Sequence, residues 1–147
     1  MISIRPAHPE DAEPIGRLFA ASRRLLTFLP ELHTVEEDLA FVRDTVLAEQ
    51  MVTVALRDGV IVGFVAETPG WIEHFYMDPA QLRSGIGSVL MGIPKGRNPS
   101  LELWCFRDNA AGRAFYEKHG FVAVETTDGS RNEAKAPDVR YRWVRTA

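Results

Sequence analysis

Residues 51–77, "MVTVALRDGVIVGFVAETPGWIEHFYM", restrict the fold more than any other stretch of this chain. "MVTVAL" and "VIVGFVAE" are apolar, β-branched runs joined by "RDGV", and Asp58-Gly59 supplies the positive backbone angles of a tight hairpin turn. "WIEHFYM" follows as a third, nearly continuous apolar run, the composition of a strand buried on both faces. Period-two alternation predicts Trp71, Glu73, Phe75 and Met77 on one face and Ile72, His74 and Tyr76 on the other.

Helical patterns lie on either side of this meander. "ISIRPA" reads as a first strand stopped at Pro6, and "HPEDAEPIGRLFAASRRLLTFL" as a helix with Ile15, Leu18, Phe19, Leu25, Leu26 and Leu29 at helical spacing. Acidic residues crowd the first turn of that helix, and Pro30 ends it. In "HTVEEDLAFVRDTVLAEQ", Thr34 followed by Glu37 is a capping-box pattern, with Leu39, Val42, Val46 and Leu47 as the buried stripe. A short helix follows the meander through about Met91, broken by Gly92 and Pro94. "LELWCF" is a strand, and "DNAAGRAFYEKHG" a helix from an Asp/Asn cap to Gly120. "FVAVETT" and "VRYRWVR" are closing strands around "DGSRNEAKAPD". The order β-α-α-β-β-β-α-β-α-β-β predicts one mixed α/β domain over residues 1–147.

Composition narrows the class. A 147-residue chain that is 46% hydrophobic and 25% charged is an ordinary globular protein. Its net charge of −3 gives no electrostatic reason to expect nucleic acid or an anionic membrane as partner. One cysteine, Cys105, excludes an intrachain disulfide framework, and no apolar run approaches membrane-spanning length, so the expected setting is cytoplasmic. No His/Cys/Asp cluster has metal-ligand spacing.

The chemistry-bearing stretch is "FYMDPAQLRSGIGSVLM". Gly85 and Gly87 lie where a strand gives way to a helix, so free backbone N–H groups face outward at the positive end of a helix dipole. A Walker A loop needs Gly-Lys-Ser/Thr, but Ser88-Val89 follows Gly87. The dinucleotide fingerprint needs a third glycine where Leu90 stands. What remains is either the pyrophosphate of a larger ligand such as coenzyme A, or a glycine-rich turn with no ligand.

The second half, "LELWCFRDNAAGRAFYEKHGFVAVE", resembles the distal half of the GNAT superfamily of acetyl-coenzyme A-dependent N-acetyltransferases. Asn109, Tyr116, Glu117, Lys118, Gly120 and Phe121 stand at the matching places. The Gly-Ile-Gly segment is similar to the family's pyrophosphate motif, with Leu82 in place of its usual Gln or Arg and Arg83 beside it. The resemblance implies a splayed mixed sheet flanked by helices, acetyl-coenzyme A as co-substrate, no metal, and acetyl transfer to a small-molecule amine or a peptide acceptor. It implies cofactor contacts from Phe75, Tyr76 and Met77 on the strand, from Arg83, Ser84, Gly85, Ile86, Gly87 and Ser88 at the helix mouth, and from Asn109, Gly112 and Tyr116 on the later helix. Homodimerisation is common in the family. A non-catalytic acyl-coenzyme A-binding module and a protein N-terminal or lysine acetyltransferase are the alternatives.

Asn109 and Tyr116 are seven residues apart and share a helix face. By resemblance, the Tyr116 hydroxyl protonates the departing thiolate and Glu73 is the first candidate base. His74 is second, since an ordinary imidazole shuttles protons near neutral pH. The bland counterparts are a helix cap for Asn109, a core aromatic for Tyr116 and a strand-end polar pair for Glu73 and His74. His33, between the first two helices, falls where the family builds its acceptor pocket. Cys105 reads as a small core residue on a buried strand.

Overall fold

The computed structural model describes residues 1–81 and 84–146. Leu82 and Arg83, the latter expected above among the cofactor contacts, lie outside the described residues. Seven strands form one sheet in the order β1-β2-β3-β4-β5-β7-β6. They are β1 (Ile2–Pro6), β2 (Met51–Arg57), β3 (Val60–Thr68), β4 (Trp71–Met77), β5 (Ser100–Phe106), β6 (Val122–Thr127) and β7 (Asp138–Val144). All neighbours run antiparallel except β4 and β5. Asp58 and Gly59 both have positive φ, 51° and 82°, as the β2–β3 hairpin requires.

Helices cover both faces. On one side lie α1 (Ala12–Arg24) and α2 (Val35–Phe41). The latter widens into a π-helical turn over Val42–Val46 and ends in the single turn α3 (Leu47–Glu49). Ile15, Phe19, Val42 and Val46 pack there against Val52, Val54 and Phe64. On the other side lie α4 (Ile86–Arg97) and α5 (Ala110–Lys118), where Ile86, Leu90 and Met91 pack against Val65, Leu101, Leu103 and Tyr141. Each face thus buries its own apolar cluster, so the central strands read as continuous apolar runs. The Thr34–Glu37 capping box forms as expected: Glu37 N–H donates to Thr34 Oγ1 at 3.1 Å and Thr34 N–H to Glu37 Oε1 at 2.9 Å.

Three local expectations are corrected. First, α1 stops at Arg24 and not near Leu29, and Leu25 is 60% exposed. The Arg24 guanidinium draws the chain round by donating to the carbonyls of Ala20 and His33. Second, α4 runs through Pro94 to Arg97. Pro94 forfeits one helical bond, but it is buried beside Leu90 and Met91. Asn98 Nδ2 donates to its carbonyl and Arg145 to that of Lys95, satisfying the helix end. Third, the β3–β4 register shifts so that Ala66 faces His74 while Glu67 faces Ile72, leaving Glu73 as the extra residue of a bulge. The bulge flips the alternation, so Ile72 shares a face with Phe75 and Met77 and not with His74 and Tyr76.

Candidate active site

The site begins where the sheet comes apart. β4 and β5 are paired only at Trp71 and Glu102, backed by Glu102 N–H donating to Gly70 C=O at 2.9 Å. Beyond that point the strands part, so the main chain of Phe75, Tyr76 and Met77 is not paired with β5. A strand edge of this kind presents free N–H and C=O groups to an extended ligand.

The mouth of α4 flanks this opening. Gly85 caps the helix with φ 85°, a backbone conformation that any side chain would strain. Among the described residues, a Cβ there would meet nothing within 4 Å. Among the described residues, the first main-chain bond into the helix is Val89 N–H to Gly85 C=O at 3.2 Å, and the Ser88 amide has no carbonyl partner there. Ser84 Oγ lies 3.5 Å from the Ile86 amide, a weak contact, and Ile86 itself is fully buried. Ser88 Oγ contacts His119 Nε2 at 3.1 Å. Gly87 is small for a reason the sequence does not display: a Cβ would sit 3.1 Å from the Phe115 ring of α5.

On α5, Asn109 Oδ1 accepts the Gly112 amide at 3.0 Å and caps the helix. The space above Gly112 is filled by that same Asn109 amide group, which is why a larger residue would not fit. Asn109 Nδ2 remains a donor at the helix start. Seven residues on, the Tyr116 ring meets Phe115, Phe121 and Phe75 with centroids 5.5, 5.9 and 6.4 Å away. Burial raises the Tyr116 phenol above its ordinary 10.0, and the Cys105 thiol of β5 and the Tyr76 phenol of β4 are near enough to add to the shift. The ring packs on Phe75 of β4 and on Tyr141 of β7, with centroids 6.4 and 6.3 Å away. Cys105 is 6% exposed and part of the core, with its thiol pushed up to about 12 by burial, as fits an inert packing residue.

The other face of β4 carries the aromatic cluster. His74 lies edge-on to Phe19 and Phe41, at 5.6 and 5.7 Å, and burial, helped by the charge of Arg23, lowers it to about 4. Its imidazole is therefore neutral near pH 7 and a weak proton acceptor. Glu73 protrudes at the bulge, exposed, and accepts a hydrogen bond from Thr68 Oγ1 at 2.8 Å. The structure thus brings Phe75, Met77, Gly87 and Tyr116 together around the Phe115 ring, while Tyr76 packs on the opposite face with Phe19 and Phe64 and Asn109 caps α5. His33 stands apart in the α1–α2 loop, where Nε2 meets Glu133 Oε1 of the β6–β7 loop at 2.6 Å. Phe115 beneath Gly87, and Phe19 and Arg23 beside Tyr76, were not legible as site residues, because the contacts that define them cross between distant elements.

Comparison with known proteins agrees with this geometry. Residues 48–123, more than half of the chain, match the acetyltransferase (GNAT) domain family. The protein belongs to that family. It is 33% identical over 88 residues to the peptidyl-lysine N-acetyltransferase YiaC of Escherichia coli K12, a match covering 59% of this chain. That match spans about 60% of the relative's own length. The fold is that of YjaB from Escherichia coli, solved in its apo form, with a TM-score of 0.82, 24% identity and 99% of each chain covered. It is also that of the PaiA N-acetyltransferase from Thermoplasma acidophilum, solved in complex with coenzyme A, with a TM-score of 0.74, 21% identity and 99% of each chain covered.

Proposed function

We propose that the protein moves an acetyl group from acetyl-coenzyme A to a primary amine, by direct attack in a ternary complex and without a covalent acetyl-enzyme. The observation that carries this reading is the parting of β4 from β5 beyond Trp71, with the Tyr116 ring on Phe75 of β4 and Gly87, at the mouth of α4, against Phe115 and Met77. The donor fits the residues present. The amides at the positive end of α4, that of Ser88 among them, suit a diphosphate, and Asn109 Nδ2 and the free edge of β4 suit the amides of a pantetheine arm. When bound, the thioester supplies an activated acetyl group.

The chain's own residues then handle protons. Tyr116, kept neutral by burial, holds its proton for the sulfur that leaves when the C–S bond breaks. Desolvation that lifts the Cys105 thiol to about 12 would act in the same way on a departing thiolate in this slot, which brings its proton affinity towards that of the phenol. An alkylammonium acceptor must first lose a proton. We assign that step to Glu73, directly or through water, and leave the neutral His74 as a wall of the acceptor side. Main-chain N–H groups on the freed edge of β4 can polarise the acetyl oxygen.

A small-molecule acceptor is the first reading; a peptide lysine is the second, favoured by the likeness to YiaC. Calorimetric titration with acetyl-coenzyme A tests donor binding, and no heat at millimolar ligand rejects it. A thiol-release assay over polyamines, aminoglycosides, amino acids and lysine peptides tests transfer. Binding without release from any of them would leave a non-catalytic acyl-coenzyme A-binding module.

A further inference from the structure

Two adjacent arginines at the end of α1 have different surroundings. Arg24 is fully engaged: it donates to the Ala20 carbonyl at 2.9 Å, the His33 carbonyl at 2.9 Å and Asp38 Oδ2 at 3.1 Å, and Asp38 is 6% exposed. Arg23, half-buried, has no carboxylate within 4.0 Å among the described residues. Its Cζ lies 5.7 Å from the centre of the Phe19 ring. That ring in turn meets Tyr76 at 5.4 Å and His74 at 5.6 Å, the two β4 side chains on the acceptor face of the parting.

On the other side of Arg23 from that ring contact, a cavity of about 270 Å³ is lined by the end of α1, the loop after it and Asp38 of α2. Of its other charges, Arg24 is paired with Asp38 and His33 with Glu133 and Glu37, while Glu31 at the rim is exposed to solvent. Arg23 is left as a guanidinium partly stripped of water, with the Tyr76 phenol as its polar neighbour on β4. Such a group presents a planar fork of donors that matches a carboxylate with two parallel hydrogen bonds. A dianionic group suits it less well, since Glu31 and Asp38 line the same cavity.

We propose that Arg23 anchors a carboxylate on the acceptor, so that the substrate is a small amine bearing its own carboxylate, such as an amino acid. The carboxylate is held at Arg23, and the amine reaches past Tyr76 to the opening between β4 and β5. The size of the cavity sits at the low end for ligand pockets, which suits a molecule of this class rather than a long polyamine. Arg23 is here a specificity residue that touches substrate and takes no part in moving protons. This inference rests on the acetyl-transfer reading for the amine end of the molecule, though the anion site itself does not.

The test uses acceptors matched in everything but charge: L-amino acids, their amides and their decarboxylated amines, assayed by thiol release with wild type, Arg23→Gln, Arg23→Lys and Arg17→Gln. Arg17 is paired with Glu13 on the exposed side of α1 and serves as the control. In the wild type, kcat/KM for the carboxylates should exceed that for the amides by about tenfold or more. Arg23→Gln should bring that ratio to about one, Arg23→Lys should keep part of it, and Arg17→Gln should leave it intact. A ratio of one in the wild type, or one that Arg23→Gln does not change, overturns the proposal. So does turnover confined to lysine peptides. As a readout independent of turnover, the Arg23 Nε–H resonance should shift on titration with N-acetylated amino acids. If it shifts while no amine releases thiol, the anion site stands and acetyl transfer falls; if it does not shift, the anion site falls alone.

Discussion

Tyr116 packs against the apolar cluster that contains Cys105, and desolvation acts on both in the same sense: the thiol goes to about 12, and the phenol rises above its ordinary 10.0. A phenol in that state stays protonated at any working pH, which makes it a reserve acid and never a base. Tyr116→Phe should therefore lower kcat by about a hundred- to ten-thousand-fold, while calorimetry finds the affinity for acetyl-coenzyme A unchanged; undiminished kcat would remove the acid role. The same burial separates the two candidate bases. His74, at about 4, takes up a proton only well below neutrality, so it contributes no limb to a pH–rate profile near the ordinary histidine value of 6.5. Glu73→Gln should cost about a hundredfold in kcat/KM for amines and His74→Gln only a few-fold. The reverse pattern, with a limb near 6.5 lost in the histidine variant, would make His74 the base.

At the level of elements, the two glycines that open α4 serve different needs. Gly85 has positive φ, so Gly85→Ala should lower stability by about 1 to 2 kcal/mol, the cost of a left-handed backbone for an L-residue. Gly87 has ordinary helical geometry but lies against Phe115, so Gly87→Ala strains packing and Gly87→Val more so. Urea unfolding orders these variants, and a Gly87→Val protein as stable as wild type would refute the packing role. Pattern alone identified the hairpin at Asp58-Gly59, the capping box at Thr34 and the Asn109 cap, because each is decided within a few residues. Pattern failed where a distant partner decides. The bulge at Glu73 depends on pairing with β3, and the continuation of α4 through Pro94 depends on burial and on the Arg145 contact. The halt of α1 at Arg24 depends on the carbonyl of His33 in the following loop. The site followed the same rule. Gly85, Asn109 and Tyr116 stood out through motif spacing, whereas Phe115 and Arg23 acquire meaning only through contacts across the opening.

For the whole molecule, the question is what holds two half-sheets together when β4 and β5 pair at one position. Part of the answer lies beneath the opening, where α4 and α5 bury Ile86, Leu90 and Phe121 against strands from both halves. The rest crosses above it from the α1–α2 loop: Phe28 packs on Phe106 of β5 at 6.0 Å, and His33 meets Glu133 of the β6–β7 loop. This last contact responds to pH. Glu133 is the main cause raising the His33 pKa above 6.5, with Glu37 and Asp38 adding to it. The sign follows directly: a raised folded-state value means the tie is fully present below the ordinary 6.5 and is lost as pH rises through the raised value. The α1–α2 and β6–β7 loops should therefore be held together in mild acid and loosen towards alkaline pH. Hydrogen exchange of residues 28–33 and 128–137, corrected for intrinsic rates, should show protection that is full below pH 6.5 and falls as pH rises through the raised value, with Glu133→Gln lacking that protection throughout. Equal, pH-independent protection in both proteins would show that the histidine does not couple the two loops, and the apolar contacts would then hold the halves together alone.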